Sequence, residues 1–303
     1  MHLSKSIFLG LLFTMLYCKA LAQLPKVSSG KILRLEKFAS KYVDTRNVDV
    51  WLPANYSTKK KYAVLYMHDG QMLFDSTITW NKQEWKVDET LNNLVEANAV
   101  KNTIVVGIWN NGDKRFAEYF PENILQYVEN SNDTIGFANR LKNYTPQANN
   151  YLKFIAEELK PRVDSTFNTY KNKENTFIGG SSMGGLISLY AICQYPKVFG
   201  GAACLSTHLP VLFTNINNHF PNLINSYLKN NLPNPSNHKI YFDYGTATLD
   251  SLYKPYQRLV DITMKQKGYT SKNWITKEFQ GEDHSEKAWS RRLHIPLQFL
   301  LTK

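Results

Sequence analysis

The sequence predicts an α/β protein built on a mostly parallel central sheet flanked by helices. Three observations lead there. Near-continuous apolar runs, such as KYAVLYM at 61–67 and TIVVGIW at 103–109, read as strands buried on both faces. These runs alternate with longer segments of helical spacing. Finally, no internal repeat or Pro/Ser-rich linker divides the chain.

In order, residues 32–38 and 48–52 are expected to form an opening antiparallel ribbon, with Pro53 ending its second strand. Strand 61–67 is followed by a helix over 87–100, whose apolar side carries Leu91, Leu94, Val95 and Ala99. Strand 103–109 leads into a polar loop, 110–146, and then a helix over 148–163 with Leu152, Ile155, Ala156 and Leu159 on one side. The second half continues with strand 175–179, helix 183–194 and strand 201–205. An Asn- and Pro-rich stretch without clear period fills 207–238. Strand 239–244, helix 255–266, strand 274–279 and one C-terminal helix over 286–301 complete the alternation. The two long loops are expected to act as cap-like insertions over the sheet.

Composition narrows the class. Over 303 residues, 43% are hydrophobic and 20% charged, which excludes disordered, collagen-like and coiled-coil chains. The N-terminus reads as a signal peptide over 1–22. Lys5 ends a short basic region, an apolar run follows to Tyr17, and Ala20-Leu21-Ala22 offers small residues for cleavage. The run is shorter than the roughly 20 residues of a membrane span, so the mature protein, 23–303, is expected to be exported with no span of its own. Removing 1–22 deletes two lysines and no acid, lowering the formal charge from +11 to +9. The remaining lysines are scattered rather than gathered into one patch, so no nucleic-acid partner is expected. Cys193 and Cys204 lie among apolar residues and read as buried free thiols. No paired-cysteine or HExxH motif announces a metal, and no cofactor is expected.

The chemistry concentrates in FIGGSSMGG at 177–185. It contains G-x-S-x-G centred on Ser182, between a predicted strand and a predicted helix. A serine on so tight a turn needs nearly side-chain-free neighbours, which Gly179, Gly180, Gly184 and Gly185 supply. The N–H of the next residue, Met183, then points at a developing oxyanion. A phosphate loop would need a lysine that is missing here. Activation requires a base, and in this arrangement the order is serine, acid, histidine. Of the histidines beyond strand 239–244, His294 falls inside a helix, whereas His284 sits in the polar loop GEDHS. His284 is therefore the expected base. The acid should follow strand 239–244, where Asp250 leads. Asp243 would be a buried structural carboxylate, Asp261 would be solvated in mid-helix, and Glu282 and Asp283 adjoin His284 too closely. A second oxyanion N–H is expected from Gln71, after Gly70 turns the loop HDGQMLF. His68 is expected to hold that loop rather than react.

MHDGQMLFD, GGSSMGG, YFDYGT and GEDHSEKAW, in that order, resemble the esterase D-like and enterochelin esterase-like family of the α/β-hydrolase superfamily. That family includes enterochelin, feruloyl and acetylxylan esterases and mycolyltransferases. The resemblance spans roughly residues 32–301. It implies an α/β-hydrolase fold, Ser182 as nucleophile, His284 as base, and Met183 and Gln71 as oxyanion donors. Some of its members are described with a Ser-His dyad, which leaves the acid open.

The expected function is ester hydrolysis through an acyl-enzyme, on a small-molecule or polysaccharide ester such as an acylated carbohydrate or a siderophore lactone. Acyl transfer is the alternative if an acceptor alcohol outcompetes water. A carbohydrate- or siderophore-binding protein that keeps the fold without activity is the competing class. Trp80, Trp85, Trp109 and Tyr119 are candidate rings for the substrate, and Arg115 is a candidate for an anionic group.

Overall fold

A computed structural model describes residues 23–130, 145–211 and 219–303. Segment 1–22, expected to be a signal peptide, lies outside the described residues, as do 131–144 and 212–218 of the two insertions. Eight strands form one sheet: β1 (Lys31–Phe38), β2 (Arg46–Leu52), β3 (Ala63–His68), β4 (Thr103–Ile108), β5 (Thr176–Ser181), β6 (Gly201–Leu205), β7 (Lys239–Gly245) and β8 (Trp274–Phe279). Their order across the sheet is β1-β2-β4-β3-β5-β6-β7-β8. The β1–β2 and β2–β4 pairs are antiparallel and every later pair is parallel. The apolar runs of β3 to β6 are buried at every position, because both faces of the sheet are covered.

Alternation divides the core. Val64, Tyr66, Val106, Ile178 and Phe242 point to one face, under the helices Met183–Gln194, Phe220–Asn231 and Lys254–Gln266 and the helical stretch 148–166. Leu65, Met67, Val105, Phe177 and Tyr241 point to the other, against Val87–Glu96 and the C-terminal helices. Cys193 and Cys204 are buried and unpaired, and burial pushes both thiols' pKa values up. Among the described residues, no helix is long and apolar enough to cross a membrane.

Three segments depart from the expected elements. Loop 110–146 contains a short helix, Arg115–Tyr119, and a 3-10 stretch, Glu122–Asn130. The aperiodic stretch 207–238 contains the helix Phe220–Asn231, which packs on the 3-10 stretch and on Lys254–Gln266. Its described residues therefore cover the sheet's helical layer and do not line the cleft described below. The expected C-terminal helix is two helices, Glu286–Arg292 and His294–Leu300. Pro296 explains the break, since its ring conflicts with the carbonyl four residues earlier, at Arg292.

Candidate active site

The loops leaving the carboxyl ends of β3, β5, β7 and β8 converge on one side of the sheet. This is where parallel strands diverge and ligands bind in open α/β sheets. Between them lies a cleft of about 660 Å³ lined by Ser182 and His284 together with Asp69, Gln71, Trp80 and Trp289, among others.

Ser182 separates β5 from the Met183–Gln194 helix and holds φ 58° and ψ −124°. That backbone is strained for a residue with a Cβ, and surrounding contacts must impose it. Ser182 N donates to Leu205 O at 3.0 Å, and its own carbonyl accepts from Leu186 N at 3.1 Å and His208 N at 3.1 Å. Gly180 leaves room for the turn to close, because a Cβ there would lie 3.0 Å from the Gly184 carbonyl carbon. Leu186 is the first residue to donate back to Ser182, so the N–H groups at the helix start, beginning with Met183, have no partner within the helix.

Opposite, Asp69 (φ 56°) turns the chain out of β3 into the single 3-10 turn Gly70–Met72. A Cβ at Gly70 would come within 2.4 Å of the Gly107 carbonyl carbon, so only glycine lets this turn rest on β4. The Gln71 side chain is held across the same gap, its Oε1 accepting from Asn110 N at 3.2 Å.

The imidazole is aimed by a carboxylate. His284 Nδ1 and Asp250 Oδ1 are 2.6 Å apart, and the Asp250 side chain is fully buried. Burial alone would raise the Asp250 pKa. The hydrogen bonds from His284 and Ser206, the His284 charge and the Gly245 N–H hold it below the usual carboxylate value instead. An ionised carboxylate only accepts, so Nδ1–H is the donor, and Nε2 is the acceptor whenever the ring is neutral. Ser206 Oγ donates to Asp250 Oδ2 at 2.5 Å, and Gly245 N donates to the same oxygen at 2.6 Å. Ser206 Oγ in turn accepts from Trp289 Nε1 and Arg292 Nη2, each at 2.9 Å. The buried Arg292 also bridges to Asp243, whose carboxylate further accepts from Ser206 N and Tyr241 Oη. Asp243 thus sits as the buried structural carboxylate expected of it. Asp261 differs from expectation: it is partly buried and accepts from Gln257 and Thr276, and burial raises its pKa.

Sequence reasoning passed over a second polar group beside the serine. The Tyr253 hydroxyl interacts with the Ser182 side chain and lies 2.7 Å from His208 Nδ1. Burial first, then the Asp250 charge, push the phenol's pKa up against the Ser182 contact, so it stays protonated. Burial and the neighbouring His284 pull His208 down to about 4. His208 and Tyr253 are 45 residues apart in the chain, and no local motif joins them. Only the three-residue step from Asp250 to Tyr253 could have hinted that both leave one turn.

The candidate substrate contacts divide. Trp80 is 83% exposed at the edge of the cleft, with the buried Trp85 stacked on Trp289 below it, ring centroids 5.3 Å apart. Trp109 is a correction: it is outside the cleft lining, its Nε1 donating to Asp49 at 2.8 Å and its ring covered by the Arg34 guanidinium. Tyr119 is a second correction, being fully buried behind the cleft against His68 and Tyr151. Trp109 directly follows β4 and Tyr119 ends the short helix Arg115–Tyr119, and local sequence specifies the direction of neither ring. Arg115 does line the cleft, yet its Nε and Nη2 are spent on the two oxygens of Asp69, at 2.7 and 2.8 Å. Burial would raise the Asp69 pKa, but Arg115, with Asn110 and His68, holds it below the usual carboxylate value, and the Arg115–Asp69 pair braces the Gly70 turn. His68 is buried beneath, Nδ1 against Tyr151 Oη at 2.8 Å, its pKa lowered by burial to about 3. Among the described residues, no group of three or more His, Cys, Asp or Glu is arranged to hold a metal ion.

Known proteins resemble this chain in sequence and in fold. The uncharacterized protein YbbA of Bacillus subtilis (strain 168) is 25% identical over 162 residues, 53% of this chain and 56% of that protein. The chain thus spans little more than half the length of this curated relative. The enterobactin esterase FES of Shigella flexneri superposes with a TM-score of 0.65 at 15% identity, covering 91% of this chain and 60% of that one. The ferulic acid esterase AmCE1/Fae1A of Anaeromyces mucronatus superposes with a TM-score of 0.62 at 18% identity, covering 91% and 92%. At these identities the likeness establishes the fold, an α/β arrangement of the esterase kind. The profile of the family described as "Putative esterase" matches residues 40–297, most of the chain. On that match the chain belongs to this family.

Proposed function

We propose that this protein is an exported serine hydrolase of carboxylic esters, with Ser182 as nucleophile, His284 as general base and Asp250 as the acid that orients the base. The reading rests on the 2.6 Å contact between His284 Nδ1 and Asp250 in a cleft that Ser182 also lines. Nε2 of His284 takes the Ser182 proton as Oγ attacks the ester carbonyl, and Asp250 stabilises the imidazolium. The Met183 and Gln71 backbone N–H groups hold the oxyanion. Departure of the alcohol, protonated by His284, leaves an acyl-enzyme, and His284 then activates water to release the acid. Nucleophile, base and oxyanion donors are all groups of the chain, so these steps draw on no metal or organic cofactor.

Residues 1–22 are proposed as the signal peptide and 23–303 as the mature esterase domain. The substrate is a small-molecule or polysaccharide ester, and an acylated carbohydrate and a siderophore lactone are the two classes to test first. Likeness to a ferulic acid esterase and an enterobactin esterase supports both, as does the Trp80 ring at the cleft edge. A fluorophosphonate probe, followed by peptide mass spectrometry, tests the mechanism without a choice of substrate. Labelling at Ser182 that is largely lost in His284→Ala is the expected result. An unlabelled Ser182 in folded protein would sink the hydrolase mechanism and favour a binding protein on the same fold.

A further inference from the structure

Beside the cleft runs a second depression, a trough of about 420 Å³ lined by Ser76, Lys82, Gln83, Glu84, Lys86, Lys287, Ser290 and Arg291. Gln83 lines both, and the dividing wall is thin: Trp80 and Asn81 face the cleft while Lys82 faces the trough, and Glu286 faces the cleft while Lys287 faces the trough. Two hydrogen bonds pin this wall. Asn81 Nδ2 donates to Glu286 Oε2 at 2.8 Å, and Lys287 N donates to Gln83 Oε1 at 3.1 Å.

Three lysines and one arginine line the trough with a single carboxylate, Glu84, and make it basic. Arg291 is paired with Glu282, and the Lys82 ammonium donates to the Thr77 carbonyl, which neutralises nothing. Neither Lys82, Lys86 nor Lys287 forms an ion pair with a described carboxylate. Burial, followed by the Asp88 charge, raises the Glu84 pKa. The backbone adds a separate indication. Lys82 (φ 56°) and Lys86 (φ 54°) both occupy the left-handed region, where glycine or asparagine is the unstrained choice. Lysine at both places keeps two exposed ammonium groups on one rim at the expense of local backbone strain.

We propose that the trough is a subsite for the anionic part of an ester substrate, holding a carboxylate or similar anion while the ester carbonyl lies at Ser182. The inference rests on the reading of Ser182 given above and extends it to a substrate class, a negatively charged ester. Exposed cations of this kind act mainly by attraction and orientation, and their effect is screened by salt.

Two experiments separate the subsite from the mechanism. The triple variant Lys82→Gln/Lys86→Gln/Lys287→Gln is compared with the parent protein on two matched pairs of esters. Para-nitrophenyl butyrate against mono-para-nitrophenyl glutarate places the charge on the acyl side, and phenyl acetate against meta-acetoxybenzoate places it on the alcohol side. The expected result is a loss of about ten-fold in kcat/KM, carried by KM, on at least one charged ester, with the neutral esters held within about two-fold. The difference should fade in about 1 M NaCl. Equal response of charged and neutral esters in both pairs overturns the proposal. Calorimetric titration with trimesate, an inert tricarboxylate, requires no catalysis and should give binding about ten-fold weaker in the triple variant. Binding that is absent from the parent protein, or equal in the two, also overturns the proposal. Failure of fluorophosphonate labelling would remove the serine mechanism and leave the titration to decide the trough.

Discussion

Asp250 and Tyr253 stand on a single 3-10 turn, joined by a hydrogen bond from Tyr253 N to the Asp250 carbonyl at 2.9 Å, and their side chains reach different members of one cleft. Asp250 reaches His284, and Tyr253 reaches Ser182. One short piece of backbone thus sets both the tilt of the imidazole and the surroundings of the serine hydroxyl.

Asp250→Asn should lower kcat for an activated ester by roughly a thousand-fold, because the amide no longer favours the tautomer that leaves Nε2 free. Steady-state hydrolysis alongside circular dichroism checks this. A drop smaller than about ten-fold in folded protein would mean that the His284 ring is held without Asp250.

Tyr253→Phe removes the hydroxyl that stands beside Ser182 and bonds His208 Nδ1. It should cost about 1–2 kcal/mol of stability in urea denaturation. The fluorophosphonate labelling rate at Ser182 should change less than about ten-fold, against more than a hundred-fold for His284→Ala. A Tyr253→Phe rate as low as that of His284→Ala would make the phenol an acid–base participant.

Ser182→Gly and Ser182→Ala both abolish the hydroxyl, but only glycine accepts φ 58°, ψ −124° without a Cβ conflict. The glycine variant should be the more stable of the two by about 1 kcal/mol. Thermal unfolding of the pair decides it, and an alanine variant at least as stable would show that the elbow is unstrained.

His68 carries a pH dependence whose sign follows from burial. Its folded pKa is lowered to about 3 from an ordinary 6.5, so the unfolded chain binds the proton more readily between those values. Stability is therefore lost as pH falls from about 6.5 towards 3, at up to about 1.4 kcal/mol per pH unit. Between pH 7 and pH 5 the parent protein should lose about 2 kcal/mol more than His68→Gln, measured by urea unfolding. Parallel losses in the two proteins would show that His68 does not titrate in this way.

Much of the scaffold was legible because burial on both faces leaves an unmistakable signature. The bounds of Met183–Gln194, Gly201–Leu205 and Trp274–Phe279 coincide with the segments expected from apolar runs and glycine punctuation. The helix Phe220–Asn231 was hidden by its four asparagines, poor helix formers, although Phe220, Leu223, Ile224, Tyr227 and Leu228 carry the right period. At the site, glycines marked Ser182 because a tight turn demands them, and loop position pointed to His284 and Asp250. Ser206, His208, Tyr253 and Arg292 were not legible, since each matters only through partners brought near by the sheet. Trp109 and Tyr119 show the same limit from the other side: lying in the segment that follows β4 does not say which way a ring turns.

The buried Arg292, with Trp289, steadies Ser206 and through it Asp250, from a helix that follows every strand of the sheet. During synthesis, a chain made as far as Gln266 already contains Ser182, Asp250 and the Ser206 and Gly245 groups that bond its carboxylate, but neither the imidazole nor Trp289 and Arg292, which steady Ser206. A chain that stops short of Arg292 therefore cannot present serine, imidazole and fully braced acid together, and the cleft is completed only after the last strand of the sheet has been made.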